Sequence, residues 1–413
     1  MSKLFLPILA LLLSVMILLT GHGIQLTVLP LLASELGWSP SLISYTGSAY
    51  FFGFMLGCLT VPRLVAKVGH IRMFAVLTSA ATCALLAIAL APHLAAWMVA
   101  RLVTGWSMAG LYMVIESWLN DRVDARNRGF VLSVYTVLTL VSISLGQLSL
   151  GFDLPYIHFI MLGAILITLG SIPVSLTSGS APTPIPSVGF RVIEVYRASH
   201  VAVIGAVVGG LTTSGYWVLG PIVAEKLGLS TQQIGMFLVS ALLGGALLQL
   251  PVGKLSDRID RRLVLAGLGA LGTVVAVMAL IFGSSVTVLY VAMFLFGGST
   301  FPLYSISLAH ANDNSSLNLL EVGSVILLLH SGGAVIGPVL TSLLLEQSAY
   351  GLFIFSGSLL AFFCLWCFWR VRKHPVQRSH FTPFPDTPST SHEVFEVADA
   401  QAQQASETEK GTH

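Results

Sequence analysis

Long apolar stretches separated by short polar ones run through nearly the whole chain. Twelve can be marked, over roughly 5–32, 41–62, 72–91, 94–119, 129–150, 155–177, 198–223, 232–252, 263–283, 285–309, 319–345 and 350–369. A helix needs about 20 apolar residues to cross a hydrocarbon core, and these stretches lack the strict alternation of barrel strands. The pattern predicts an all-α membrane protein with twelve transmembrane helices. The first stretch follows Lys3 as a secretory leader would, but it is too long and no small-residue cleavage site interrupts it. It is read as the first span. Two segments break the pattern: the Pro/Ser-rich SGSAPTPIPSVGF of residues 178–190 and the polar C-terminal stretch. The expected organisation is a six-helix bundle over 1–177, a cytoplasmic linker over 178–197, a second bundle over 198–370, and a disordered cytoplasmic tail over 371–413 with too little apolar surface to fold alone.

Composition agrees with this reading. The chain is 55% hydrophobic and 9% charged, where a soluble domain carries roughly 25% charged residues. Membrane lipid is therefore its expected surroundings. A net charge of +2 with no basic stripe gives no reason to expect nucleic acid as a partner. Cys364 and Cys367 form a CxxC inside LLAFFCLWCFWR, without His or a second Cys pair nearby, so no metal or redox cofactor is expected. Of the 20 Lys and Arg residues, Arg101 lies inside a span and Lys226 in a loop on one side; the others fall on the opposite side or at the termini. That bias places both termini in the cytoplasm.

The chain also repeats itself. PLLASELGWS from Pro30 matches PIVAEKLGLS from Pro221 at an offset of 191. At nearly the same offset Tyr112, Asn120 and Asp121 match Tyr304, Asn312 and Asp313, and Gly146 matches Gly337. Two six-helix halves in the same orientation, a parallel repeat about an axis along the membrane normal, follow from this. GKLSDRIDRR, Gly253 to Arg262, carries most of the pattern Gly-x-x-x-Asp-Arg-x-Gly-Arg-Arg, with Asp260 at the second Gly; its first-half copy, PRLVAKVGHIR, keeps Gly69 but has Ala66 at the acid position. RLVTG, Arg101 to Gly105, adds an Arg-x-x-x-Gly element on the fourth span. With these motifs the chain resembles the major facilitator superfamily of secondary transporters over nearly all of its length to about residue 370. VIES at 114–117 and RNRG at 126–129 look like a bacterial subgroup of unassigned substrate.

The resemblance implies transport of a small molecule by alternating access, with the first, fourth, seventh and tenth helices lining a central cavity. The polar residues midway along those spans are His22 and Gln25, Tyr112, Thr213, Tyr216 and Trp217, and Tyr304, joined by His330 on the eleventh. Glycines flank His22, leaving room for ligand or water; a hydrogen-bonded core histidine is the other reading. Arg101 has three readings: a substrate contact, support for a proton site, or a side chain reaching the headgroups. Glu116 lies fifteen residues on, about 22 Å away on the same helix, so the two cannot pair. It is either a proton carrier or a partner of the basic loop at Arg126 and Arg128, and His22 is an alternative proton site. At the cytoplasmic side, Asp257, beside Arg258, is expected to latch onto the start of span five, where Arg128 also pairs with it. A charge-swapped latch joins Arg63 or Lys67 to Glu321. Both sets of charges otherwise serve only as headgroup anchors.

The resulting expectation is a proton-coupled, monomeric transporter of an amphipathic or weakly polar solute, in the bacterial plasma membrane, with export expected rather than uptake. No Walker A sequence is present, so ATP hydrolysis is not expected. Some drug/proton antiporters of the superfamily carry Gly-Pro on span five, where this chain has Gly146-Gln147; its own Gly-Pro is Gly337-Pro338 on span eleven. Two rivals remain: a transporter-like sensor or scaffold that signals through the tail, and a membrane-embedded enzyme centred on HAND at 310–313.

Overall fold

Each apolar stretch becomes a helix. The computed structural model describes residues 2–122, 125–152, 154–176 and 191–373, with only the backbone described for 2–7, 120, 122 and 125–130. The side chain of Arg128, most of the linker and residues 374–413 thus lie outside the described residues. The membrane-spanning helices are α1 (Ile8–Glu35), α2 (Pro40–Val68), α3 (His70–Leu90), α4 (Leu94–Leu119), α5 (Val131–Gly151), α6 (Tyr156–Ser175), α7 (His200–Lys226), α8 (Thr231–Ser256), α9 (Arg261–Phe282), α10 (Val286–Asn314), α11 (Leu319–Gln347) and α12 (Gly351–Lys373). Several outrun their apolar stretches: α2 continues six residues beyond 62 and α10 five beyond 309. A helix that satisfies its own backbone need not stop where the hydrocarbon does. Pro62 is absorbed inside α2, whereas Pro302, lacking an amide hydrogen, divides α10 into Val286–Thr300 and Pro302–Asn314.

The repeat is visible in backbone detail. Gly37 and Gly228 end α1 and α7 with φ of 79° and 78°, a left-handed conformation that glycine adopts without steric cost. Two residues later Ser39 and Ser230 cap α2 and α8, accepting hydrogen bonds from the amides of Leu42 and Gln233. Helix contacts repeat as well. Gly53 of α2 lies against the backbone of Leu102 of α4, and Gly244 of α8 against that of Phe294 of α10, leaving no space for a methyl group. The second half thus packs α8 on α10 as the first packs α2 on α4.

Two ends of the molecule can be distinguished: one carries the turn around Trp38, the other the basic residues around Lys254. At the Trp38 end the halves are joined directly. Ser34 Oγ donates to Glu225 Oε2 at 2.7 Å, Ser41 Oγ to Glu346 Oε1 at 2.6 Å, and Ser342 Oγ to Ser44 Oγ at 3.3 Å. Gly235 of α8 packs on Gln147 of α5 at the same end. One seam stays closed further down, where Cys58 of α2 shares an apolar cluster with Tyr304, Val322 and Ile326 of the second half. The α5–α8 seam instead borders a cavity.

Candidate functional site

The cavity occupies about 240 Å³ between the halves, near the lower edge of the ~300–1,000 Å³ usual for small-molecule sites. His22 on α1, Tyr112 on α4, Thr213 and Trp217 on α7, Tyr304 on α10 and His330 on α11 all line it. Gln25 and Tyr216 stand behind the lining instead. Gln25 directs its amide nitrogen at His22 Nδ1. Tyr216 is fully buried and donates to the carbonyl of Leu238 at 2.8 Å. Neighbouring helix positions are rotated by about 100°, so Trp217 facing the cavity turns Tyr216 into the core.

Beyond the first, fourth, seventh, tenth and eleventh spans, α2, α5 and α8 also contribute to the wall. Tyr50, Phe51 and Phe54 come from α2, Thr136, Thr139, Leu140 and Ile143 from α5, and Leu242, Gly245, Ala246 and Gln249 from α8. On α5 and α8 these residues lie on the Lys254 side of the Gln147–Gly235 contact, so the two helices meet at the Trp38 end and border the cavity below it. Phe301, Ser305, Ser331 and Ala334 complete the wall. Phe301, at the break in α10, lies nearly parallel to the Trp217 ring, at 7° and 6.1 Å between centroids. No Asp, Glu, Lys or Arg is among the lining residues. The cavity is an aromatic chamber with hydroxyl and imidazole groups, suited to an amphipathic occupant.

Charged residues sit just behind this wall. Arg101 turns inward and is only 6% exposed; its guanidinium carbon lies 4.3 Å from the Tyr50 ring centroid, in cation–π contact. Tyr50 Oη in turn lies 3.4 Å from His22 Nε2. Gln25, His22, Tyr50 and Arg101 thus form one chain of contacts across α1, α2 and α4. Glu116 is fully buried further along α4 and accepts a hydrogen bond from Tyr135 Oη of α5 at 3.1 Å. On the second-half wall His330 Nδ1 and Tyr304 Oη are buried and have no hydrogen-bond partner among the described residues.

At the Lys254 end, Asp257 pairs with Arg261 of its own half. Arg261, with no exposed side-chain surface, bonds Asp313 Oδ2 at 2.6 Å, Ser256 Oγ at 2.9 Å and Asp257 Oδ1 at 3.4 Å. Asp260 caps α9 and pairs with Arg262 at 2.6 Å. Burial alone would raise the Asp260 carboxyl, but the hydrogen bonds and charge of Arg262 outweigh it and hold that carboxyl below its ordinary range. At the position equivalent to Arg261 the first half has His70, whose Nε2 lies 3.0 Å from Ser117 Oγ. Arg258, Arg63 and Lys67 are exposed. Glu321 closes a capping box, accepting from the amide of Asn318 at 3.3 Å. HAND is likewise taken up by structure: Asp313 holds Arg261, and His310 Nδ1 lies 3.2 Å from Asn314 Nδ2.

Similarity to known proteins follows the same lines. The chain is 26% identical over 387 residues to an uncharacterised MFS-type transporter of Enterobacter sp. (strain 638), covering 91% of this chain and 98% of that one. It is 27% identical over 385 residues to the uncharacterised MFS-type transporter YcaD of Escherichia fergusonii, covering 89% and 96%. Among solved structures, the nucleoside transporter NupG superposes with a TM-score of 0.73 at 14% identity, covering 88% of this chain and 99% of that one. A bacterial homologue of the human lysosomal transporter Spinster superposes with a TM-score of 0.66 at 12% identity, covering 96% and 97%. These two establish likeness of fold. The family model of the Major Facilitator Superfamily matches residues 11–198 and 202–399. Two six-helix halves around a shared cavity, and that match along nearly the whole chain, make this protein a member of the major facilitator superfamily.

Proposed function

We propose that this secondary transporter moves a small amphipathic organic solute by alternating access, coupled to protons and in the direction of export. The observation that carries the reading is the cavity between the halves, sealed at the Trp38 end by the Ser34–Glu225 and Ser41–Glu346 bonds and bordered toward the Lys254 end by α5 and α8. With the Lys254 end taken as cytoplasmic from the distribution of basic residues, the protein lies in the bacterial plasma membrane with both termini, and the open side of the site, toward the cytoplasm.

Opening to the other side then requires the Trp38-end bonds to break and α5 to close on α8. Asp257, about a third exposed at the end of α8, supports the gate reading: in the closed state its carboxylate accepts from the free amides at the start of α5. Glu116 is the proposed proton carrier. A carboxylate fully buried beside Tyr135 is costly to keep charged, and protonation removes that cost.

The test is internal pH in proteoliposomes carrying the purified protein, challenged with a panel of organic solutes. The expected result is a solute-triggered proton flux that is lost in Glu116→Gln and retained in His22→Gln. Flux retained in Glu116→Gln rejects Glu116 as carrier. Uptake of labelled solute without any pH change rejects proton coupling.

A further inference from the structure

We propose that the transported solute is an organic acid carrying a single negative charge on an apolar, aromatic-sized body, and that Arg101 selects that charge. The proposal rests on the transporter reading above and narrows it to one class of substrate.

Arginine stays protonated in proteins, so the wall behind Tyr50 and His22 holds a permanent positive charge. Tyr50 faces the guanidinium from α2, with His22 and its neighbour Gln25 beyond it on α1. None of these is an acid. Among the described residues no ion pair involves Arg101, and its Nη1 is buried without a hydrogen-bond partner. Glu116, the acid on its own helix, lies about 22 Å further along and is engaged by Tyr135. A charge within a bilayer is expensive unless paired, and contact with one tyrosine ring offsets only part of that cost. Nor does Arg101 reach for the headgroups, since its side chain turns into the bundle.

The lining itself contributes no formal charge, so the Arg101 end of the cavity is electropositive and lacks an anion. The opposite wall supplies the rest of the recognition pattern. Tyr304 Oη and His330 Nδ1 are buried, part of the lining and without a hydrogen-bond partner among the described residues, which suits a second polar atom at the far end of the solute. The near-parallel Trp217 and Phe301 rings offer faces to a flat apolar body between the two. A carboxylate placed against Tyr50 and His22 meets the guanidinium through a thin aromatic wall, or directly after a rotation of the Tyr50 ring.

The experiment uses full-length protein in nanodiscs and two matched probe sets. One is 3-phenylpropionate, 3-phenylpropionamide and 3-phenylpropylamine; the other is indole-3-acetate, indole-3-acetamide and tryptamine. Binding is read by thermal shift and by titration of intrinsic fluorescence. The expected result is that at least one carboxylate binds about tenfold or more tightly than its amide and its amine, a gap typical of one well-placed charge pair. Arg101→Gln should remove that preference, bringing the carboxylate to the affinity of its own amide in the same variant. Arg101→Lys, which keeps the charge without the planar fork, should keep the direction of the preference at weaker affinity, and decides the matter if the glutamine variant does not fold.

Equal or tighter binding of the amide or the amine overturns the proposal, as does a carboxylate preference that survives Arg101→Gln, or silence of every probe. The two readings separate cleanly. An amine that binds and is carried overturns the anion and leaves transport standing, whereas a carboxylate that binds but is not carried supports the anion and sinks the transport reading.

Discussion

Arg261 shows what a buried charge demands of its neighbours. Its guanidinium has no exposed surface and is shared between Asp313, Asp257 and Ser256, so removing Asp313 takes away its shortest pair and leaves the buried cation to the longer contact with the part-exposed Asp257. Asp313→Asn should therefore lower stability by about 3–5 kcal/mol, the cost of breaking a buried pair from one side, read as thermal unfolding of the purified protein. Asp260 gives a gentler effect with a pH signature. Arg262 holds its carboxyl below the ordinary range, so its contribution is complete at neutral pH and is lost as pH falls through that lowered value. Asp260→Asn should melt below the parent protein at neutral pH, and the gap should close as the solution is made acid. A gap independent of pH would mean that Asp260 acts through its cap hydrogen bond rather than its charge.

At the scale of helices, the stability of the bundle depends on where backbones touch. A methyl group at Gly53 meets the backbone of Leu102, whereas one at Gly267 meets open space. Gly53→Ala should cost about 1–3 kcal/mol through overpacking. Gly267→Ala should be neutral or stabilising by up to about 1 kcal/mol through helix propensity, and the two melting temperatures compare them directly. These contacts also mark how far the sequence can be read. The twelve helices were legible because hydrophobicity alone specifies a span, and Gly53-x-x-x-Gly57 was legible as a packing surface. The participation of α2, α5 and α8 in the cavity was not, because these helices are apolar on most sides and nothing in their periodicity says which side meets an opening. The choice between Tyr216 and Trp217 was hidden for the same reason: both sit midway along α7, and only the packing of α8 and α10 decides which turns inward.

For the whole molecule, the Trp38 end is the closed door. Residues 41 and 346 sit on α2 and α11, in opposite halves, and meet at hydrogen-bond distance. With the native cysteines replaced, Ser41→Cys combined with Glu346→Cys and joined by a short bis-methanethiosulfonate should abolish transport in proteoliposomes, and reduction of the linking disulfides should restore it. Undiminished transport in the linked protein would rule out opening at this end. The two halves could be read from an internal repeat, since equivalent turns demand equivalent residues, Gly37 with Gly228 and Ser39 with Ser230. Which door is shut in this conformation lay beyond the sequence, because both states use the same helices and differ only in which contacts are made.

The Ser34–Glu225 bond has a consequence for the molecule's ancestry. The two residues are separated by 191 positions, the period of the repeat, so they occupy one and the same site in the two copies and face each other across the pseudo-twofold axis. Two identical copies meeting there would set hydroxyl against hydroxyl or carboxylate against carboxylate; the second arrangement repels, and the first lacks a charged acceptor. Divergence of the two copies sets a hydroxyl donor opposite a charged acceptor. The bond therefore favours the mixed pair over either self-pair, making each half the other's preferred companion and discouraging the C-terminal half from dimerising with itself.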